Sequence, residues 1–280
     1  MVIIEFVLIL FISSIFAGIL GSIVGVGGGV VIIPVLTLFL GVDIHFAIGA
    51  SIVAIIGTSS GAASTYVKDK LTNLRVGMFL EVATASGAIC GAAIAAYVNS
   101  VALELIFGGI LLVMLVPTLM KIGEDIPKSP ELKGLSKRLG LSGSYTESDG
   151  TVTNYNATRP EAGLAGMAVA GVLSGLLGIG GGAFKVLSMD LAMKLPMKVS
   201  TTTSNFMIGV TAAASAGIYF ARGDVNPVII APVALGILIG ATIGARLLIR
   251  SRNPTIRKAF ALVLAVTAVQ LILNSAGIKL

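Results

Sequence analysis

The chain contains little charge for its length. Asp, Glu, Lys and Arg make up 11% of its 280 residues, whereas about a quarter is usual in a soluble domain. A chain this poor in charge cannot cover a folded surface with polar groups, so a soluble globular protein is excluded and lipid is the expected solvent. The net charge of +6 is then explained by basic loops beside an anionic leaflet, and no nucleic-acid partner is predicted.

Several residue types that enzymes use are rare or missing. The single cysteine, Cys90, cannot form an intrachain disulfide, and with the single histidine, His45, it cannot build a zinc site. No Ser–His–Asp or HExxH arrangement is present, so hydrolytic catalysis has no support. No Gly-Lys-Ser/Thr follows a glycine run, which argues against nucleotide binding. The sequence therefore predicts neither an enzyme nor a bound metal or cofactor.

Long apolar runs and glycine are abundant instead. A helix needs about 20 apolar residues to cross the hydrocarbon core. Six clear runs and two weaker ones approach this length. The clear runs are 3–24, 46–66, 76–98, 101–120, 198–220 and 227–249, and the weaker ones are 161–177 and 259–276. These runs predict an all-α integral membrane protein.

Much of the chain occurs twice, at an offset of 153 residues. Segment 17–29 recurs as 170–182, and both copies end in a Gly-x-Gly-Gly-Gly motif. One ungapped register also aligns Ser51 with Ser204, Thr58 with Thr211, Tyr66 with Tyr219, Asn73 with Asn226, and the Gly-Ala-x-x-Gly-Ala motif at 87–92 with that at 240–245. This agreement predicts an internal duplication.

A polar segment separates the two copies. We expect a first membrane repeat at 1–121, a cytoplasmic linker at 122–160 and a second membrane repeat at 161–280. Within the linker, Asp149-Gly150 lies between residues that favour strands, which is typical of a small hairpin. A flexible linker is the alternative for this segment.

The positive-inside rule distinguishes two topologies. If every run is a plain span, six Lys and Arg residues of the short loops lie on the linker side and seven on the other. In the other topology each glycine motif is the tip of a hairpin, with arms 3–24 and 29–41 in the first repeat and 161–177 and 183–194 in the second. Eleven Lys and Arg residues then lie on the linker side and two on the other. The eleven are Lys68, Lys70, Arg75, Lys121, Lys194, Lys198, Arg246, Arg250, Arg252, Arg257 and Lys258, and the two are Arg222 and Lys279. The hairpin topology is favoured.

Each repeat then consists of a Gly-rich broken-helix hairpin plus three transmembrane helices. This gives an odd number of effective crossings, so the two repeats are inverted relative to each other. We expect a multi-pass protein of the cytoplasmic (inner) membrane, with the linker in the cytoplasm and both termini outside. Inverted repeats whose broken helices meet near the bilayer midplane are a recurring plan of transporters.

The two glycine motifs are the first candidate site. Without side chains, backbone N–H groups can approach a solute closely, and the helices that begin there carry a partial positive charge. The candidate residues are Gly25, Gly27, Gly28 and Gly29 in the first repeat and Gly178, Gly180, Gly181 and Gly182 in the second. A tight turn that only permits close packing is the alternative, but duplication in an inverted repeat favours an anion site.

Hydroxyl and amide side chains at symmetric positions extend this site. They can donate hydrogen bonds to an oxyanion without burying a full charge. The candidates are Ser51, Thr58, Thr203, Ser204, Asn205 and Thr211. The alternative is that these side chains bond helix backbone or neighbouring helices, as Ser and Thr often do in membranes.

Two charged residues fall inside the apolar runs. Lys185, three residues after the second motif, would supply the countercharge of an anion, although it could also snorkel or pair with Asp190. Its counterpart in the first repeat is Ile32, so such a site would be asymmetric. Glu81 would either carry protons or lie near the cytoplasmic end beside Arg75.

These motifs resemble the TauE/SafE family of membrane permeases. The resemblance is carried by Gly18–Pro34 (GILGSIVGVGGGVVIIP), Gly171–Gly182 (GVLSGLLGIGGG), Ala50-Ser51, Thr203-Ser204, Gly223-Asp224-Val225 and the paired Gly-Ala-x-x-Gly-Ala motifs. The first repeat departs from the family pattern, since Ala50 replaces the usual Thr and Lys70-Leu71-Thr72 stands where Gly-x-Val-Asp is common. The resemblance implies transport of sulfur-containing anions such as sulfite, sulfoacetate, taurine-related sulfonates or thiosulfate.

The sequence thus predicts a secondary transporter of small sulfur-containing anions, with a midplane site between the two glycine tips. A passive anion channel of the same architecture is the alternative. The expected partners are a small anionic substrate and the lipid bilayer, and homo-oligomerisation is left open.

Overall fold

The computed structural model of the protein covers most of the chain. The backbone is described for residues 3–24, 27–68, 71–119, 132, 134–146, 151–250 and 254–276. Side chains are described over the same ranges apart from residues 3, 24, 63–68, 117–119, 248–250 and 254–260.

The helices can be assigned to the two sequence repeats by their residue ranges. The first repeat contains α1 (Ile3–Val24), α2 (Gly29–Pro34), α3 (Ile44–Lys68), α4 (Leu74–Ala95) and α5 (Ser100–Leu119). The counterparts in the second repeat are α7 (Pro160–Leu177), α8 (Gly182–Leu187), α9 (Met197–Arg222), α10 (Pro227–Arg250) and α11 (Pro254–Ser275). Each of the eight apolar runs seen in the sequence therefore coincides with one of these helices over most of its length.

Length and composition make six of these helices candidates for membrane spans, namely α1, α3, α4, α7, α9 and α10. In α5 and α11 the described apolar stretches, Ser100–Val116 and Ala261–Ser275, are shorter. Large apolar side chains such as Leu8, Val82 and Val101 are exposed on the outside of the helices. An outer surface of this kind suits lipid rather than water. The prediction of an all-α integral membrane protein is confirmed.

Glycine lets the helices of the two repeats touch backbone to backbone. α4 packs against α7 and α1 packs against α10 through the Gly-Ala-x-x-Gly-Ala motifs. A Cβ atom on Gly87 would lie 2.5 Å from the Ala168 carbonyl oxygen, and one on Gly240 would overlap the backbone of Ile15. Such close approach between helices needs small residues, because van der Waals packing holds helices together in lipid.

The same contacts give the directions of the helices. Thr84 and Ala88 of α4 lie against Gly171 and Gly175 of α7 in the same order, so these two helices run parallel. The other parallel pairs are α1 with α10 (Ile15 and Ile19 with Gly240 and Gly244), α3 with α10 (Gly57 and Gly61 with Ala234 and Leu238) and α4 with α9 (Gly77 and Glu81 with Met207 and Thr211).

These directions require each glycine motif to reverse the chain. α1 and α3 both run parallel to α10, so the segment between them must return to the end at which α1 began. α3 and its counterpart α9 run in opposite directions, since Gly49 lies against Asp224 while the Thr202 hydroxyl donates to the Leu71 carbonyl. An inverted repeat predicts this pattern, and its placement in a membrane stays a prediction.

The return arms α2 and α8 each continue as a π-helical turn of five residues, Val35–Phe39 and Ser188–Ala192. The two turns stand at equivalent positions of the repeat, and the sequence did not predict them. Pro34 precedes the first turn, but Leu187 stands at the equivalent position before the second, so proline is not the common cause.

The linker contains α6 (Gly134–Leu139), which was not predicted, and a hairpin of β1 (Ser142–Thr146) and β2 (Val152–Asn156). The strands pair antiparallel with Thr146 opposite Val152. Of the two alternatives for this segment, the hairpin is the one observed; its turn, 147–150, lies outside the described residues.

Candidate functional site

The two glycine motifs meet in the interior of the protein, and we refer to Gly27–Gly29 as the first tip and to Gly178–Gly182 as the second tip. The Ser51 hydroxyl on α3 donates to the Gly178 carbonyl at 2.5 Å. A Cβ atom on Gly29 would lie 2.8 Å from the same carbonyl oxygen. Gly25 lies outside the described residues. The two tips are thus in direct contact among the residues that the structure describes.

Glycine is needed at the tips for conformational reasons as well. Gly27 has φ +82°, and Gly178, Gly180 and Gly181 have φ +62°, +72° and +62°. These values lie in the left-handed region, which costs a residue with a Cβ atom about 1–2 kcal/mol. The chain therefore turns back inside the protein at low strain.

Two isoleucines at equivalent positions lie against both tips. A Cβ atom on Gly27 would lie 3.4 Å from Ile55 and 3.3 Å from Ile208, and one on Gly180 would lie 3.3 and 3.4 Å from the same two side chains. Both isoleucines are buried or nearly so. An apolar layer therefore fills the space at the centre of the two repeats.

Polar side chains of α9 bind the second tip and the end of α1. The Ser204 hydroxyl donates to the Gly182 carbonyl at 3.2 Å, and the Asn205 amide donates to the Ser22 carbonyl of α1 at 2.9 Å. The Asn205 Oδ1 atom is buried and has no hydrogen-bond partner among the described residues. Residues 204, 208 and 211 share one face of α9 because they are four and three positions apart.

A buried ionic cluster lies beside the second tip. Lys185, in the first turn of α8, is 0% exposed and its ammonium donates to the Thr211 hydroxyl. The Thr211 hydroxyl donates to the Glu81 Oε1 atom at 2.6 Å, and the Lys185 Nζ atom lies 4.0 Å from Glu81 Oε2. Lys185 thus lies close to the second tip, and its role as a countercharge stays a prediction. Its contact with Glu81 was not foreseen, since the partner considered from the sequence was Asp190.

The sequence leaves two alternatives open for Glu81, and the structure places its side chain in the interior. It is 4% exposed, whereas Arg75 donates to the Gly140 carbonyl at the linker end. The repeat offset gave no signal for the Glu81–Lys185 contact, because the equivalent residues are Ala234 and Ile32. Only the general rarity of charge inside apolar runs pointed to these residues.

The remaining candidates lie away from the tips or bond their own helix. The Thr58 hydroxyl donates to the Ala54 carbonyl at 3.1 Å within α3. Thr203 accepts a hydrogen bond from the Asn73 backbone N–H at 3.1 Å, at the start of α4. A role of the candidate residues in solute binding stays a prediction. In the described part of the chain, no three His, Cys, Asp or Glu side chains could together hold a metal ion.

The linker hairpin covers the helix ends on the side of the ionic cluster. The Asn73 amide donates to the Tyr155 hydroxyl at 3.0 Å, and the Lys198 ammonium lies 5.8 Å from the centre of the Tyr145 ring. Burial raises the pKa of Tyr155, and the hydrogen bond from Asn73 offsets part of this rise. The hairpin is thus tied to α4 and α9 by polar contacts.

Comparison with known proteins agrees with this architecture. The family model "Sulfite exporter TauE/SafE" matches residues 10–271. A probable membrane transporter protein of Bacillus subtilis (strain 168), YunE, is 29% identical over 94% of this chain and 96% of its own length. A second from the same organism, YdhB, is 25% identical over 86% of this chain and 88% of its own length. No solved structure matches the chain significantly. With the family match spanning nearly all of it, the chain belongs to the sulfite exporter TauE/SafE family of membrane transporters.

Proposed function

We propose that the protein is a secondary transporter of small sulfur-containing anions, such as sulfite or a sulfonate, which bind where the two tips meet Lys185. The supporting observation is the Lys185 ammonium, fully buried one turn after the second tip. Charged groups inside a membrane protein are expensive and mark substrate or ion pathways. An ammonium has three N–H donors, and one of them is directed at Thr211.

The tips add neutral donors to this charge. The first amides of a helix have no partner within the helix and carry partial positive charge. Ser51 and Ser204 hold carbonyl groups of the second tip, so they help to fix the orientation of its peptide planes. A sulfite or sulfonate group offers three acceptor oxygens, which matches a site built from several N–H donors and one cation.

A carrier fits the tips better than a passive channel. Ile55 and Ile208 lie against both tips, which leaves an apolar barrier across the centre of the repeats. An anion would pass this barrier only after a rearrangement of the two repeats, as in alternating access. We place the linker in the cytoplasm and both termini outside, a topology that labelling of single cysteines introduced at Arg75 and Asn226 from either side would test.

Counterflow in proteoliposomes tests the function directly. Vesicles loaded with unlabelled sulfite or methanesulfonate should take up the labelled anion faster than empty vesicles, because a carrier with an internal anion bound returns to the outside faster than an empty one. The rate of uptake should also saturate as the concentration of the external anion rises. Taurine, a zwitterion, should compete at least tenfold less well than methanesulfonate. Uptake that neither saturates nor responds to internal anion would identify a channel, and no uptake of any tested anion would reject the proposal.

A further inference from the structure

Glu81, Lys185 and Thr211 form a cluster that has no counterpart in the other half of the protein. Glu81 belongs to the first repeat, and Lys185 and Thr211 belong to the second, so the cluster bridges the two. The equivalent positions hold Ala234, Ile32 and Thr58. The packing of the repeats does not require an ion pair at this place, since the equivalent place is neutral. The cluster therefore calls for a functional explanation.

The geometry around Thr211 suits two protonation states of Glu81. A threonine hydroxyl has one proton and two acceptor lone pairs. The Thr211 oxygen lies 2.6 Å from Glu81 Oε1 and 3.0 Å from the Met207 carbonyl oxygen. With Glu81 ionised, Thr211 donates to the carboxylate. With Glu81 protonated, the carboxyl group can donate to Thr211, which then donates to Met207. Thr211 still accepts from Lys185 in both states.

The charge balance then couples anion binding to a proton. Ionised Glu81 and Lys185 together carry no net charge. An added monoanion would leave one uncompensated negative charge in the interior, which is strongly unfavourable. A proton on Glu81 removes that charge and frees Lys185 for the anion. Glu81 Oε1 carries this proton and donates it in a hydrogen bond to the Thr211 oxygen, 2.6 Å away.

Other charged groups on the neighbouring elements are placed differently. They lie toward the ends of the elements that pack on α4 and α8, or in the π turn after α8. They are Glu104 near the start of α5, Arg159 before α7, Glu161 at the exposed start of α7, Asp190 in the π turn, Lys194 after it, Lys198 and Arg222 in the first and last turns of α9, Asp224 beside Arg222, and Arg75 on α4 itself. Lys185 is the cation that faces the Glu81 carboxylate.

We propose that Glu81 carries one proton with each anion. When the anion binds, Glu81 gives up its ion pair with Lys185 and takes up that proton. This rests on the proposed transport function. The proton enters from the aqueous side to which the site is open, resides on Glu81 while the anion occupies Lys185, and leaves with the anion on the other side. Glu81 then pairs with Lys185 again. For a monoanion the cycle moves no net charge.

Proteoliposomes and methanesulfonate, a monoanion throughout the useful pH range, test this proposal. In wild-type vesicles an inward proton gradient of two pH units should accumulate the labelled anion at least tenfold, and a membrane potential should change the uptake less than twofold. An internal pH dye should report one proton per anion. In Glu81→Gln, accumulation driven by the proton gradient should disappear while counterflow stays measurable. Glu104→Gln is the matched control, because Glu104 is half-buried on α5, where its carboxylate accepts from Asn274, and it should accumulate as wild type does.

The outcomes separate this proposal from the function on which it rests. Wild-type counterflow together with net anion uptake that moves no protons rejects the role of Glu81 and leaves the transporter intact. A Glu81→Gln protein that still accumulates methanesulfonate with the proton gradient rejects it as well. If Glu81→Gln does not fold, the proton-to-anion ratio of the wild-type protein decides, and a ratio near zero overturns the proposal. Absence of counterflow in wild type overturns the proposed function itself.

Discussion

The two long helices at the centre of the protein present the same stripe of residues but different surroundings. α3 carries Ser51, Ile55 and Thr58, and α9 carries Ser204, Ile208 and Thr211 at the same spacing. The serines hold tip carbonyls and the isoleucines lie against the tip glycines in both helices. The threonines differ, because Thr58 donates to its own helix whereas Thr211 contacts Lys185 and Glu81.

This difference separates what both halves share from what one half alone contains. The crossing of the helices, the reversal at glycine and the apolar layer are common to both halves. Charge is present in one of the two equivalent places. A site at a pseudo-symmetric centre can therefore hold its substrate by a countercharge that only one half supplies. The strongest interaction is then confined to the interface of α4, α8 and α9.

The largest expected effect comes from removing that charge. Lys185→Met should weaken binding of methanesulfonate at least 100-fold, because the site loses its cation. The single change also leaves Glu81 buried without its partner, a situation that costs about 3–5 kcal/mol. In Lys185→Met/Glu81→Gln the unfolding temperature in detergent should recover while binding stays weak. Titration calorimetry and thermal unfolding measure the two effects.

The matched control for this experiment is Lys137→Met, which removes an exposed cation from α6. It should bind methanesulfonate as the wild type does. Binding by the double variant within threefold of wild type would show that Lys185 does not hold the anion, and the asymmetry between the halves would then be structural only.

A smaller effect separates the two threonines. Thr211→Val should weaken anion binding about tenfold, because hydrogen bonds to charged groups contribute roughly 1.5–3 kcal/mol. Thr58→Val should change binding less than twofold, since its hydroxyl bonds only the Ala54 carbonyl among the described residues. Both substitutions keep the shape of the side chain. Equal losses in the two variants would contradict the assignment of the charged interaction to one half.

Much of the architecture could be predicted from the sequence, because periodicity and composition act locally. Apolar runs gave every long helix, and the 153-residue offset identified the glycine tips and the paired serines. The offset also located Thr211 through Thr58. These features are repeated, so each half served as a check on the other.

The contact between Glu81 and Lys185 could not be predicted in this way. It depends on how α4 seats against α9, where Gly77 lies against Met207 and so sets the level of Glu81 beside Thr211. The two residues are about a hundred positions apart, and neither has a charged counterpart. The π turns were missed as well, because no residue type at equivalent positions marks both of them: Pro34 precedes the first and Leu187 the second.

The smallest expected effect concerns the loop at which α3 begins, which again differs between the halves. Asp43 precedes α3, and its Oδ1 atom accepts from the His45 backbone N–H at 2.9 Å, as a helix cap does. Its Oδ2 atom accepts from the Ser100 hydroxyl at 2.9 Å. Pro196 stands at the equivalent position before α9 and makes no side-chain cap.

The ionised form of Asp43 is the stabilising one. Burial raises its pKa, but hydrogen bonds from the His45 backbone, Ser100 and the His45 ring together lower it below the ordinary 3.8. Because the folded pKa is the lower one, this stabilisation is present above about pH 3.8 and is lost as the pH falls through the folded value. Asp43→Ala should therefore lower the free energy of unfolding by about 1 kcal/mol at pH 7.

Asp43→Asn distinguishes the cap from the charge. Asparagine accepts the same cap hydrogen bond, so this variant should keep most of the stability at pH 7. It does not titrate, so the gap between wild type and Asp43→Asn should close on acidification below about pH 3.8, whereas Asp43→Ala should remain less stable than Asp43→Asn at every pH. Thermal unfolding in detergent between pH 3 and 7 measures all three proteins. A gap that stays constant with pH would mean that the carboxylate charge contributes nothing, and the loops of the two halves would then differ in hydrogen bonding alone.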